Sequence, residues 1–323
     1  MNKLKRKFRR LFLGSKWKHL DTLHHDFGIE RIKDGHRILW KGSSLGELSS
    51  VVSLKQKYSG SCFIVATGPS LADIDLCRIK NYDTISLNGA IKKFTEAGFA
   101  PTHAMAVDRR IFERCPEFIA ESIESGANCF FSPVGVSRIC EQGMKLPEQG
   151  KFYLLESIAK KYDQPLLSEK VFLSRCKNNP MVYLSPEYPE GSGTIGFSGD
   201  AEAGFFSFKT VAGWAVQLAV WMGYKNIFIL GMDLGGTGMT HFYENENNKK
   251  PDFLRDYDPY IRVSFEQTRR AMNELDFNVY NLSEQSTLSE KIIPKLTLSD
   301  AIIIAERTKY ENSNSIADLF KQD

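Results

Sequence analysis

Gly60-Ser61-Cys62-Phe63-Ile64-Val65-Ala66-Thr67-Gly68-Pro69-Ser70 sets five unbroken apolar residues between two turn signals. A run this short is below helix length, and its aromatic and β-branched side chains favour a strand. Without polar alternation, that strand has both faces covered, as in a parallel sheet. Gly68 and Pro69 end it, and Leu71–Ile79 reads as a short helix. The pattern repeats downstream. Strands are expected at Thr84–Leu87, Ala104–Val107, Asn128–Ser132, Lys151–Leu155, Asn226–Leu230 and Asn278–Tyr280. Helices are expected at Ile91–Ala97, Phe112–Ser125, Lys209–Met222, Ser264–Leu275 and Ile316–Phe320. Residues 184–206, rich in Gly, Pro and Ser, read as a long loop, and residues 238–262 as a polar, aromatic lid. Strands alternating with helices define an α/β chain: a Rossmann-like, mostly parallel sheet with helices on both faces.

The 323 residues are 42% hydrophobic and 25% charged, which excludes a fibrous or wholly disordered chain. The net charge is +3, yet the first 18 residues hold eight Lys and Arg and no acid, leaving −5 for the rest. The basic character therefore belongs to a tail, and nucleic acid is not an expected partner of the mildly acidic body. In that tail Leu4, Phe8, Leu11 and Phe12 fall on one helical face among the basic residues, which suits an anionic membrane surface, with docking on a partner or on the body, or contact with nucleic acid, as the other readings. The expected organisation is a tail over 1–20, an unpatterned extension over 21–58, and one domain over 59–323. Six scattered cysteines without a C-x-x-C pair, and no signal-peptide pattern before them, fit reduced thiols in a cytoplasmic protein. The adjacent His24 and His25 read as exposed imidazoles, and no metal site is expected.

In open parallel sheets, ligands bind outside the carboxyl ends of the strands. Those ends carry Thr67-Gly68-Pro69-Ser70, Asn88-Gly89, Asp108, and Asp233 with the segment leading to His241. Gly68 permits close approach of a ligand, and the amides of the following turn are candidates for a phosphate. Neither a Walker loop nor G-x-G-x-x-G is present. Asn88 suits a base or sugar, or a left-handed turn. Asp108 suits a ribose hydroxyl, a metal or an acceptor, or a helix cap before Arg109 and Arg110. His241, flanked by aromatics, is a candidate general base. Tyr243, Tyr257 and Tyr260 stand in the lid.

Ile64–Asp75 (IVATGPSLADID) with Leu87-Asn88, and Gly223-Tyr224-Lys225 through Asp233-Leu234, resemble bacterial sialyltransferases of glycosyltransferase family 42 type. They are also similar to motility-accessory-factor and DUF115 proteins. The resemblance covers roughly 64–110 and 207–282. It implies a GT-A-variant-like domain, a cytidine-monophosphate (CMP) activated 2-keto sugar acid as donor, inversion at the transferred carbon, and no cofactor or metal. Thr67, Gly68, Pro69, Ser70 and Asn88 would lie against the nucleotide, with Tyr243, Tyr257 or Tyr260 on its phosphate. The family's catalytic His would stand at Ile261-Arg262-Val263, where this chain has none. The base is then His241 or a carboxylate, Asp108 or Asp233. With the basic tail, the expected acceptor is lipopolysaccharide at the inner face of the bacterial inner membrane, and the donor sugar is Kdo (3-deoxy-manno-octulosonic acid) or a sialic-type acid. Oligomerisation is left open. Two other readings compete: an ATP- and magnesium-dependent pterin-type diphosphokinase using Asp108 and Asp233, and a non-catalytic protein keeping a nucleotide-binding fold.

Overall fold

The computed structural model describes residues 14–148, 150–186, 195–235, 242 and 256–319, the last eight as helix backbone only. Three antiparallel strands come first: β1 (Phe27–Ile32), β2 (Gly35–Trp40) and β3 (Ser43–Ser49). Then β4 (Ser61–Val65), β5 (Asp83–Leu87), α1 (Ile91–Ala97), β6 (His103–Ala106), α2 (Arg109–Arg114), α3 (Pro116–Glu124), β7 (Asn128–Phe131), α4 (Pro133–Gln142) and β8 (Phe152–Leu154) follow. After α5 (Glu169–Lys177) a small hairpin pairs β9 (Val182–Leu184) with β10 (Gly196–Ser198). The chain closes with α6 (Val211–Met222), β11 (Asn226–Leu230), α7 (Val263–Glu274), β12 (Asn278–Asn281) and α8 (Leu298–Leu319).

Among the described residues the large sheet runs β1-β2-β3-β8-β7-β6-β5-β4-β11-β12, parallel from β3 onward. The chain lays β4 to β8 outward in one direction, then returns to the other side of β4 for β11 and β12. The strand order therefore reverses between β4 and β11, the point at which open α/β sheets bind ligands in a crevice outside the carboxyl ends.

The apolar run at 62–66 is unbroken because both its faces are covered. Cys62, Ile64, Ile227 and Ile229 point into the core shared with α6 and α7. Phe63, Val65, Phe228 and Leu230 point into the opposite core with Ile91 and Phe94 of α1 and Ala301 and Ala305 of α8. Helix α6 is buried almost throughout, so each large side chain contributes about 1.5–3 kcal/mol through burial. A crossover helix runs antiparallel to its strands, so its start, capped by Thr210, faces the carboxyl edge.

Several expected elements differ. Residues 21–58 contain β1–β3, which join the main sheet through the parallel pair Ser49↔Tyr153. The helix expected over 71–79 is two 3-10 turns, Pro69–Leu71 and Leu76–Ile79; Asp75 caps the second by accepting from the Cys77 amide at 2.9 Å. The helix expected over 112–125 is broken at Cys115, which precedes Pro116 and leaves helical geometry (φ −133°, ψ 54°). Of the short helix expected at 316–320, residues 316–319 are the far end of α8, and 320 lies outside the described residues. Of the 184–206 loop, the hairpin strand β10 is ordered structure, and 187–194 lie outside the described residues. Within the expected lid, Tyr257–Arg262 form a π-helical turn leading into α7.

At the opposite edge of the sheet, His103 is fully enclosed. Its Nδ1 faces the Asn128 amide at 3.2 Å and its Nε2 the Tyr224 hydroxyl at 3.3 Å. Those partners fit a neutral imidazole, and burial pushes its pKa down to about 3.

Candidate active site at the carboxyl edge

The turn after β4 is laced to the loop after β11. The Gly68 amide donates to the Gly231 carbonyl at 2.8 Å, and the Ser70 amide donates to Asp233 Oδ2 at 2.8 Å. The two chains are so close that a Cβ on Gly68 would lie 2.4 Å from Asp233 Oδ2 and 2.5 Å from the Gly231 oxygen. Glycine is needed here for space, since its φ of −64° is ordinary. The Leu71 and Ala72 amides donate to the Gly68 and Pro69 carbonyls at 3.0 Å. The amides expected to receive a phosphate are therefore engaged from Gly68 to Ala72, with the Asp233 carboxylate in the position of an anion. The open side of Gly68 is taken as well, by the Gly231 and Asp233 oxygens, so what the turn leaves for a ligand is the Ser70 hydroxyl.

That hydroxyl is held from a third strand. Ser70 Oγ donates to Ser283 Oγ at 3.0 Å; the Ser283 amide donates to Asn281 Oδ1 at 3.1 Å; Asn281 Nδ2 reaches the Met232 carbonyl at 3.4 Å. Both Asn281 and Ser283 are buried. Sequence reading passed over this pair. The signal was there: Asn281 ends β12 as Asn88 follows β5, and the strand-end rule applies equally to the last strand.

Asp233 is 3% exposed, and its Oδ1 has no hydrogen-bond partner among the described residues. Asn88 Oδ1 is likewise buried and unpaired. Asn88 adopts the left-handed geometry its residue type tolerates (φ 51°). These oxygens flank the end of β4, one after β11 and one after β5. Buried polar atoms are almost always paired, so two unpaired acceptors where the strand order reverses mark places for a ligand's hydroxyl or amino groups.

The remaining residues ring this centre. The Asp233 carbonyl accepts from the Thr287 amide at 3.1 Å, and the Thr287 carbonyl accepts from the Tyr257 hydroxyl at 2.9 Å. Tyr257 thus ties the π-helical turn to the Asp233 loop, and burial raises its pKa. The Tyr260 ring lies 4.9 Å from Lys209 Nζ, just before α6. Thr67 is buried, and its carbonyl accepts from the Phe242 amide at 2.9 Å. Asp108 sits apart as the cap of α2, accepting from the Arg110 amide at 2.8 Å and ion-paired to the Arg110 guanidinium. Burial works to raise the Asp108 pKa, but the bonds and charge of Arg110 outweigh it, and the carboxyl is held below its usual range. His241 and Tyr243 lie outside the described residues. Among the described residues, one set of three possible metal ligands lies close together: His24, His25 and Asp26, before β1 and away from this edge.

Residues 46–299 match the family model for the 3-deoxy-D-manno-octulosonic acid transferase WaaZ. The chain belongs to this family of Kdo transferases. The match spans both stretches from which a sugar-acid transferase was read. Two curated relatives carry the name "Probable 3-deoxy-manno-octulosonic acid transferase". The one from Escherichia coli K12 is 25% identical over 79% of this chain and 88% of its own; the one from Salmonella typhimurium is 24% identical over 76% and 90%. Solved structures similar to this Kdo transferase include a Maf glycosyltransferase from Magnetospirillum magneticum (TM-score 0.44, 13% identity), covering 91% of this chain but only 41% of that one. Another is the sialyltransferase CstII from Campylobacter jejuni with cytidine-5'-monophosphate (TM-score 0.40, 14% identity), covering 72% and 84%. Gly68, Ser70, Asn88, Asp233, Asn281 and Ser283 all fall within the matched residues of the Kdo transferase family.

Proposed function

We propose that this Kdo transferase moves Kdo from CMP-Kdo to a hydroxyl of lipopolysaccharide core, with inversion and without a metal. The observation that carries the reading is the pair of buried, unpaired oxygens, Asp233 Oδ1 and Asn88 Oδ1, on either side of the Gly68 turn. Together they suit the hydroxyl and amino groups of a nucleotide bound at the β4/β11 switch point.

In the proposed reaction a base takes the proton of the acceptor hydroxyl. That oxygen forms a bond to the anomeric carbon of Kdo while the bond from that carbon to the phosphate oxygen breaks, and CMP leaves with the electron pair. Tyr260 and Lys209 are the groups proposed to meet the developing phosphate charge, Tyr257 being spent on the Thr287 carbonyl and the Ser70 hydroxyl on Ser283 Oγ. His241 is proposed as the base. Supporting it, the next residue, Phe242, is bonded to Thr67 in the turn itself. Asp108 is a poorer base, because Arg110 stabilises its ionised form. The basic tail is proposed to hold the enzyme on the anionic inner face of the membrane, where a lipid-linked acceptor resides.

Purified protein, CMP-Kdo and Kdo-bearing lipopolysaccharide core are combined with and without a chelator. Acceptor-dependent release of CMP, unaffected by the chelator, is expected. Absence of transfer, with magnesium-dependent consumption of ATP on a pterin alcohol, would replace this reading by the diphosphokinase one.

A further inference from the structure

A second surface combines apolar and cationic character. A cavity of about 150 Å³ opens between α5, the 158–167 segment and β9. Ile158, Leu167, Phe172 and Val182 give it apolar walls, and Lys161 and Arg175 give it cations. Helix α5 carries Arg175 and Lys177 in its last turn and leaves Val171 44% exposed beside them.

The neighbouring carboxylates are engaged. Asp163 and Glu156 are ion-paired to Arg31. Asp200 accepts from Asn179 at 2.7 Å and from the Glu202 amide at 2.9 Å. Arg175, by contrast, has no carboxylate in ion-pair reach among the described residues, and it is exposed.

The chain's basic end meets this same place. The Lys16 carbonyl accepts from the Leu166 amide at 2.7 Å, and His19 Nε2 lies 2.9 Å from the Lys161 carbonyl. The 3-10 segment Ser15–Thr22 is thereby fixed against the rim of the cavity, with Lys16 and Lys18 exposed. Six further Lys and Arg precede it in residues 1–13.

We propose that this face of the folded body binds anionic phospholipid. Headgroup phosphate sits on Arg175 and Lys161, and the upper part of an acyl chain enters between Leu167 and Phe172. The inference rests on the membrane reading of the tail and adds a contact that the tail does not supply. An amphiphile with an anionic head matches apolar walls beside the unpaired Arg175 and beside Lys161, whose ammonium donates to the Glu202 carbonyl and keeps further N–H donors, and a bilayer presents many such heads to the cluster of lysines at once. A tail alone would tether the enzyme loosely; a body contact also fixes how it lies on the surface.

The test is co-sedimentation of the full chain with phosphatidylcholine vesicles with and without phosphatidylglycerol. Five proteins are compared: wild type, Arg175→Glu, Val171→Asp, a tail variant with Lys3, Lys5, Arg6, Lys7, Arg9 and Arg10 all changed to Gln, and that tail variant with Arg175→Glu added. Arg175→Glu should weaken binding to phosphatidylglycerol vesicles roughly tenfold, and Val171→Asp severalfold, with thermal unfolding unchanged because both positions are exposed. The tail variant should retain weakened binding that Arg175→Glu then abolishes. Wild-type binding by both body variants overturns the proposal. Full binding by the tail variant instead removes the tail reading and leaves this face as the membrane contact.

Discussion

Asp233 Oδ2 accepts the Ser70 amide at 2.8 Å, so the loop after β11 caps the turn after β4 with a carboxylate. A turn built to receive an anion is already neutralised by one from the protein. The second oxygen of that carboxylate is left buried and unpaired. One bond is structural and the other atom is available to substrate, so the two roles separate by substitution. Asp233→Asn keeps an acceptor for Ser70 and should unfold near the wild-type temperature while transfer falls at least tenfold. Asp233→Ala also orphans the Ser70 amide and should cost about 1–3 kcal/mol in urea unfolding. Equal transfer by Asp233→Asn and wild type would leave the carboxylate with a structural role alone.

Gly68→Ala places a methyl 2.4 Å from Asp233 Oδ2 and 2.5 Å from the Gly231 carbonyl oxygen. The second is backbone and cannot swing away, so the turn must move. A stability loss of about 1–3 kcal/mol, typical of overpacking, and loss of nucleotide binding are expected together. Calorimetric titration with CMP reads the second effect. Binding as tight as wild type would mean that the nucleotide does not approach this turn.

His241 and Asp108 are separated by paired substitutions. His241→Ala should lower turnover by about 10²–10⁴-fold, the range for loss of a general base, with CMP affinity kept. Asp108→Asn, which can still cap α2, should lower turnover less than tenfold. Steady-state kinetics on both variants decides, and the opposite ranking would transfer the base to Asp108.

Much of this site was legible in the sequence for a physical reason. Strands β4, β5 and β11 are buried on both faces, so they appear as continuous apolar runs, and the strand-end rule points straight at Gly68, Asn88 and Asp233. Strands β1–β3 were missed because they are partly exposed strands at one end of the sheet in which polar and apolar residues mix; β3 begins with three exposed residues. The long α8 was missed because its amino-terminal half, Ala301-Ile302-Ile303-Ile304-Ala305, is a continuous apolar run without helical spacing. The Asn281–Ser283 support of Ser70 was hidden because polar residues after a strand resemble any loop. The engagement of the Ser70 amide by Asp233 depends on two loops 163 residues apart, which local pattern does not reveal.

His103 gives the fold an acid weakness. With a pKa of about 3 in the folded chain, against about 6.5 unfolded, it is neutral in the native state where the unfolded chain is protonated. The unfolded state then binds more protons, so stability falls as the pH drops from about 6.5 toward 3, by up to about 1.4 kcal/mol per pH unit. Burial also lowers the pKa of His19 and His36, adding in the same direction. Urea unfolding between pH 7.5 and 5 should show this slope, and His103→Gln should make it shallower. An unchanged slope would contradict the burial of this imidazole as a neutral group.

The decisive measurement for a CMP-sugar site between β4 and β11 is thermal unfolding of the full chain with CMP, cytidine diphosphate, uridine diphosphate and ATP, each with and without magnesium. At 100 times its dissociation constant, a bound nucleotide stabilises the fold by about 2.7 kcal/mol, a readily measured shift. Selective stabilisation by CMP, independent of magnesium and lost in Asp233→Asn or Asn88→Ala, is the predicted result. Stabilisation by ATP with magnesium alone, or by none of the four, would contradict it.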